Sequence, residues 1–231
     1  MSPLEITDRI AAIPLFQGLP RPHLEELAML VMAQSVKRGQ TIFADGDEGS
    51  GFYVLASGRV KIFKLSPDGK EQILHIMPPG EPFGEVAVFA GEPFPASAEA
   101  IEDGYVLFFP RAGFIELISK NPSLALNMMA ILARRLRKFA ALIEALSLKE
   151  VPGRLAAHFL YLSEQKGCSQ LLTLDISKNQ LASLMGTIPE TLSRILARMA
   201  KEGLIETSGQ RSIRILDRTG LEELAEGVRR L

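Results

Sequence analysis

Leu192, Ile195, Leu196 and Met199 recur at i, i+3, i+4 and i+7 within GTIPETLSRILARMAKEGLI, residues 186–205, so this segment predicts a short helix with one apolar face. Elsewhere the pattern changes twice. Residues 1–35 read as short helices broken at Pro14, Gly18, Pro20 and Pro22, with a helical stripe at Leu24, Leu27, Ala28 and Val31. From Val36 to about Phe109, short apolar runs alternate with glycine turns: Phe52–Leu55, Val60–Leu65, Gln72–Met77 and Tyr105–Phe109. Ser66-Pro-Asp-Gly69 is a turn signal between two of these runs. Short strands at this spacing predict an antiparallel sandwich or barrel, such as a jelly roll.

After Pro110 the helical period returns. Pro122 suits the first turn of a long helix to about Ser147, roughly 38 Å at 1.5 Å per residue. Met129, Leu132, Leu136, Phe139, Ile143 and Leu146 step by 3 and 4 along it, a heptad seam. The seam serves either a helix packed on its own sandwich or a dimer coiled coil, and its narrowness favours the dimer. Residues 147–153, SLKEVPG, read as a hinge. Beyond it come a helix from Arg154 to Gln165, a strand-like run Leu171–Ile176, helices over 178–185 and 189–202, and a hairpin of Leu204–Thr207 and Ser212–Leu216 turning at Ser208-Gly209. Helix, glycine turn, helix, hairpin is the order of a winged helix-turn-helix. The expected fold is α+β: a jelly-roll unit over 1–121, a dimerisation helix over 122–147 and a winged helix-turn-helix over 148–231.

Composition adds mainly exclusions. The 231 residues are 47% hydrophobic and 23% charged, ordinary for a soluble globular protein, and two domains fit this length. The net charge is −1, and from Leu148 onward Lys and Arg number 12 against 10 acids, so any basic surface must be local. The single cysteine, Cys168, allows no internal disulfide and no cysteine-held cluster. MSPLEITDRI carries charge early and lacks an apolar segment, no run is long enough for a bilayer, and a cytoplasmic protein without membrane contact is expected. No HExxH, nucleophile elbow, P-loop or dinucleotide fingerprint points to an enzyme.

Three segments carry a family likeness: FGEVAVFAGEP at 83–93, ARRL at 133–136 with the seam that follows, and LASLMGTIPETLSRIL at 181–196. In this order and spacing the chain resembles bacterial transcription regulators of the cAMP-receptor and fumarate-nitrate-reduction (Crp/Fnr) type. That resemblance implies a homodimer with a cyclic-nucleotide-binding-type jelly roll, double-stranded DNA as partner, and RNA polymerase as a further partner. It places Glu190, Ser193 and Arg194 on the base-contacting positions of the recognition helix. The chemistry agrees, since Arg bonds G O6 and N7 bidentately and Glu accepts from a cytosine amino group. Thr187 and Thr191 are candidates for phosphate, and Pro189 offers the neighbouring base no polar side chain. A local reading stands beside this one: Thr187 to Glu190 as a capping box and Glu190 to Arg194 as an i,i+4 ion pair. The E-T-L-S-R pattern resembles the fumarate-nitrate type, and the cAMP type has glycine where Ser193 stands; a pseudo-palindrome of TTGAT-like half-sites follows from the likeness.

The same resemblance defines an effector pocket. Gly84 and Glu85 match its glycine and its ribose-binding glutamate. Phe94 stands at the arginine for the cyclic phosphate, and Phe139 and Ala140 stand at the hydroxyls for the purine. No arginine lies between Arg59 and Arg111, and a phosphate without its arginine is left desolvated and uncompensated, so cAMP is not expected. Haem, another small organic effector, or no effector in a filled pocket remain as alternatives. The apolar pocket and PETLSR resemble the nitric-oxide-responsive members, which suggests a role in nitrosative stress. Haem needs axial ligands, and among the histidines His75, on an expected barrel strand, is the candidate.

Overall fold

The alternating apolar residues between Met32 and Pro110 form eight antiparallel strands in a computed structural model, which describes residues 3–165, 167–208 and 211–231. The chain divides into two units, Met1–Leu136 and Arg137–Leu231. The first opens with α1 (Pro3–Ala11), a 3₁₀ turn at Pro14–Phe16 and α2 (Arg21–Leu30). Strands β1 (Met32–Val36), β2 (Thr41–Phe43), β3 (Gly51–Ser57), β4 (Val60–Leu65), β5 (Glu71–Met77) and β6 (Pro82–Phe83) follow. After α3 (Val86–Phe89) come β7 (Ser97–Ala100), β8 (Gly104–Pro110), α4 (Arg111–Lys120) and α5 (Pro122–Leu148). The division between the units falls within α5.

Two four-stranded sheets, ordered β1-β8-β3-β6 and β2-β7-β4-β5, make the jelly roll. Strand periodicity sorts the core. On β3, Phe52 and Val54 join Leu107 and Phe109 of β8 in a cluster capped by the helices, including Leu124 and Met128 of α5. Leu55 of β3 and Val106 of β8 point the other way, joining Val60, Met77 and Phe94 in a cluster fed by both sheets. The predicted turn at Ser66 is present: Gly69 N–H donates to Ser66 O at 2.9 Å, and Ser66 Oγ donates to Asp68 at 2.6 Å. The helical region expected to residue 35 ends earlier, because Val31 is extended (φ −77°, ψ 133°) and β1 pairs with β8 from Met32 onward. β1 is mostly exposed, and without apolar alternation it gave the sequence no strand signal.

In the second unit α6 (Val151–Gln165) leads to β9 (Leu171–Thr173), α7 (Lys178–Leu184), α8 (Pro189–Lys201), β10 (Ile205–Ser208), β11 (Ser212–Ile215) and α9 (Arg218–Glu226). The hinge is shorter than the sequence implies. Only Lys149 and Glu150 separate α5 from α6, because Pro152 sits in the first turn of α6, where its missing N–H costs nothing. The run expected as a strand to Ile176 ends at Thr173, and it pairs with β11, so the wing is three-stranded in the order β10-β11-β9. Ser208 closes β10, and Gly209 lies outside the described residues. No described helix is long and apolar enough to cross a membrane.

The capping expectation needs correction. Gly186, at φ 66°, ends α7: its N–H donates to Ser183 O, and Thr187 N–H donates to Ala182 O. Thr187 is thereby held one residue outside the N-cap of α8, which is Ile188 and has no side-chain cap. The capping box lies instead on α7, where Ser177 and Gln180 bond each other's backbone N–H groups at 3.2 and 2.8 Å. Nor does Glu190 pair with Arg194 among the described contacts; Arg194 Nη2 donates to Thr191 Oγ1 at 3.4 Å. Ser177→Ala is therefore expected to cost about 1 kcal/mol in denaturant unfolding, whereas Thr187→Ala stays within a few tenths. Equal losses would restore the cap to Thr187.

Candidate functional site

Two groups of side chains stand out, one on each unit. On α8, Leu192, Ile195, Leu196 and Met199 are buried, which turns Glu190, Ser193 and Arg194 to solvent on the opposite face. Ala197, Arg198 and Lys201 continue that exposed face; the sequence reading stopped at Arg194, although the same 3.6-residue period reaches them. Pro189, Thr191 and Thr187 are half-buried at the N-terminal end. The α8 face thus combines a carboxylate, a hydroxyl and three cations on a rigid element. Arg198 lies 4.0 Å from Glu202, an exposed pair of little energetic weight. Glu190 at the first turn and Glu202 at the C-cap are the carboxylates that oppose these cations.

Arg154 of α6 ties this helix pair to the end of α5. Its Nη1 donates to Lys149 O at 2.6 Å and Leu146 O at 3.5 Å, and its Nε donates to Met185 O at 3.0 Å. One guanidinium thus satisfies carbonyls at the C-terminal ends of both α5 and α7, which helix geometry leaves without partners. Burial pushes the Arg154 pKa down from the ordinary guanidinium value. The sequence reading passed over Arg154; its one available signal was a cation directly after the hinge.

In the sandwich, Gly84 and Glu85 lie between β6 and α3. Phe94 stacks on Phe43 with ring centroids 3.9 Å apart, and Phe43 continues to Tyr53 and Phe83 at 5.7 and 6.0 Å. Burial pushes the Tyr53 phenol up. A Cβ on Gly84 would stand 3.0 Å from the Phe94 ring, so these rings close tightly over the glycine. Glu85 is buried, and Arg135 of α5 holds it: Nη1 donates to Glu85 Oε1 at 2.6 Å while Nη2 donates to Pro82 O at 2.6 Å. Arg135 also lies 3.7 Å from the Glu81 carboxylate. Arg135 belongs to the ARRL segment, and local sequence gives no sign of its role because its partner is fifty residues away. His75 has Nε2 3.6 Å from Glu81 Oε2, an acid–base contact. Among the described residues no group of three or more His, Cys, Asp or Glu is placed to hold a metal ion.

Phe139 and Ala140, assigned to the same pocket, lie on the stretch of α5 that belongs to the second unit; Phe139 is half-buried and Ala140 exposed. The seam of α5 is largely uncovered. Met129, Leu136 and Ile143 are 55%, 70% and 65% exposed, and Phe139 and Leu146 are half-buried. Leu132 is shared, since it also packs against the helix-capped core of its own sandwich.

Known proteins resemble both units. Residues 33–121 match the family model of a cyclic nucleotide-binding domain, and residues 153–224 that of a Crp-like helix-turn-helix domain. The cyclic AMP receptor protein of Thermus thermophilus is 35% identical over 93% of this chain and 98% of its own. The fumarate and nitrate reduction regulatory protein of Escherichia coli is 31% identical over 84% of this chain and 78% of its own. Among solved structures, FixK2 from Bradyrhizobium japonicum has a TM-score of 0.72 at 25% identity, covering 84% of this chain and 96% of that one.

The Glu85–Arg135 contact makes a stability prediction. Arg135→Met leaves a buried carboxylate unpaired, which is expected to cost about 3 kcal/mol. Adding Glu85→Gln should recover most of that loss, as a thermal or urea unfolding double-mutant cycle would register. Additive losses would show that the two side chains do not depend on each other.

Proposed function

The chain belongs to the Crp/Fnr family of transcriptional regulators, and from that premise we propose that it is a sequence-specific, homodimeric DNA-binding regulator whose jelly roll does not respond to cAMP. Its relatives are regulators rather than enzymes, and regulators of this type bind DNA and act as dimers. The parts are a sensing jelly roll over 1–121, a dimerisation helix over 122–147 and a DNA-binding unit over 148–231, working in the cytoplasm. The observation that carries the DNA-binding part is the exposed α8 face, with Glu190, Ser193 and Arg194 at its N-terminal end and Arg198 and Lys201 behind them. The N-terminal residues of a recognition helix reach base edges, and the cations behind suit phosphates. Thr187 and Thr191 are assigned to the sugar–phosphate backbone.

Dimerisation supplies the second half-site. Uncovered Met129, Leu136 and Ile143 on one line of α5, with Phe139 and Leu146, support a parallel pairing with a second copy. Two recognition helices then meet successive major grooves about 34 Å apart on a pseudo-palindrome. TTGAT-like half-sites and contact with RNA polymerase complete the reading.

For the effector, the Phe43–Phe94 stack supports a filled pocket over the other readings. An aromatic ring occupies the position that the family likeness gives to a phosphate-binding arginine, and Arg135 already engages the carboxylate that would meet a ribose. The packing supports a filled position. It gives less support to haem and nitric oxide, since His75 Nε2 faces a carboxylate rather than an open coordination position.

Arg194→Ala is expected to weaken operator binding by about 1–3 kcal/mol per half-site and to relax base preference at one position, measured by fluorescence anisotropy across single-base operator variants. Full retained specificity would remove Arg194 from base reading. Titrating the full chain with cAMP to about 1 mM should give no calorimetric signal and no change in operator affinity, and chain purified with haem supplied should lack a visible absorption band, with or without nitric oxide. Micromolar cAMP binding, or a haem band that shifts with nitric oxide, would overturn the filled-pocket reading.

A further inference from the structure

A cavity of the sandwich unit, about 380 Å³, has neither Gly84 nor Glu85 in its lining. Its walls come from three places: the α1-to-3₁₀ link at Ala12, Ile13 and Pro14, the sheet residues Leu55, Ala56 and Leu107, and the β5–β6 turn at Pro79 and Gly80. The turn is fixed against the sheet, because Gly80 N–H donates to Leu55 O at 2.7 Å. Leu107 and Ile13 are buried beneath it and Leu55 borders it only through its backbone, so the accessible wall is Arg9, Ala12, Pro14, Ala56, Pro79 and Gly80. The opening exists because alanines and a glycine line it where larger side chains would fill it.

The lining is one-sided in its chemistry. Every side chain in it is apolar except that of Arg9, from the last turn of α1. The Arg9 side chain has no hydrogen-bond or ion-pair partner among the described residues, whereas Arg21, Arg111, Arg135, Arg154, Arg218 and Arg229 each bond a carboxylate or carbonyl. A cavity of this size falls within the range of small-molecule sites, which pair an apolar lining with a few polar groups that set orientation.

We propose that this cavity binds a small amphipathic carboxylate, with its hydrocarbon on Ala12, Pro14, Ala56 and Pro79 and its carboxylate on the Arg9 guanidinium. The planar fork of arginine matches a carboxylate through two parallel N–H···O bonds. At about 30 Å³ per water-sized group the cavity has room for about a dozen non-hydrogen atoms, which a medium-chain fatty acid or an aryl-substituted short acid satisfies. A cationic or sugar-like ligand would find one repelling charge and almost no polar wall. This assignment concerns binding alone and stands whether or not the DNA-binding reading does.

Octanoate, octanol and octylamine, each titrated into the full chain and followed by calorimetry and by the thermal unfolding midpoint, test it. Octanoate should bind saturably with one site per chain, at least tenfold tighter than octanol, and octylamine should not bind. Arg9→Gln, an exposed position whose change leaves folding intact, should lower octanoate affinity about tenfold and leave octanol unchanged. Ala56→Phe should abolish both while Arg9→Gln retains the octanol signal; should Ala56→Phe fail to fold, Ala12→Leu fills the same space from the link. Equal octanoate affinity in the wild type and Arg9→Gln, no octanoate binding at all, or octanol binding as tightly as octanoate would each overturn the assignment. Octyl phosphate binding better than octanoate would move the ligand class from carboxylates to phosphate esters and overturn it as stated.

Discussion

Helix α5 presents more apolar surface than its own chain covers, and the organisation of the molecule turns on that excess. Leu124 and Met128 near its start are buried in the sandwich core, while Met129, Leu136 and Ile143 of the seam are exposed and Leu132, Phe139 and Leu146 between them are half-buried. Burying a leucine or isoleucine side chain is worth about 1.5–3 kcal/mol, so several such residues left in water are a strong drive to pair. The same helix cannot satisfy both demands with one stripe. Leu132 marks the handover, touching the sandwich core while standing in the seam. The proposed pairing through α5 would therefore bear on the sandwich as well as on the second unit, since the helix runs into both.

Two arginines convert that helix into a mechanical part. Arg135 anchors it within the first unit through Glu85 and the Pro82 carbonyl, and Arg154 gathers its last carbonyls within the second together with that of Met185. The link between α5 and α6 is only Lys149 and Glu150, too short to act as a slack tether. Re-aiming α8 then means rearranging the Arg154 bonds rather than flexing a loop. An effector gains control only by differing in affinity between two such arrangements, and each arginine is a place where the difference can be expressed.

Much of this was legible in the residues. The period of 3.6 at Leu192 to Met199, the heptad steps from Met129 to Leu146 and the runs at Phe52, Val60, Gln72 and Tyr105 each named the right element, because burial on one face writes itself into spacing. What failed was local or long-range. β1 carries no alternation because it lies exposed at a sheet edge beside β8. The cap at Thr187 looked sound as a four-residue pattern, but the pattern does not reveal that the preceding helix claims the threonine N–H. Arg135 and Arg154 were invisible as tie points, since their partners are a carboxylate and carbonyls fixed by tertiary structure. At the effector position the likeness found Phe94 but not Phe43, whose ring meets it from a strand fifty residues earlier.

That pairing of rings bears on how such a sandwich can sense anything. A ligand-gated core needs two states of similar free energy, with the empty one tolerating a polar vacancy that the ligand fills. Stacked Phe43 and Phe94, continued by Phe83 and Tyr53, stabilise a single packed state instead; each aromatic pair adds about 0.5–1.5 kcal/mol beyond its burial. Opening the position for a nucleotide would mean separating these rings and also breaking the Arg135–Glu85 contact in a poorly solvated setting, two costs that a ligand must recover before it gains affinity. The centre is closed, whereas at the periphery of the sandwich Ala12, Ala56 and Gly80 leave space and Arg9 has no partner among the described residues. A ligand there meets a preformed site, and its influence on the DNA-binding unit would have to pass along the same sheet and helix contacts that hold α5.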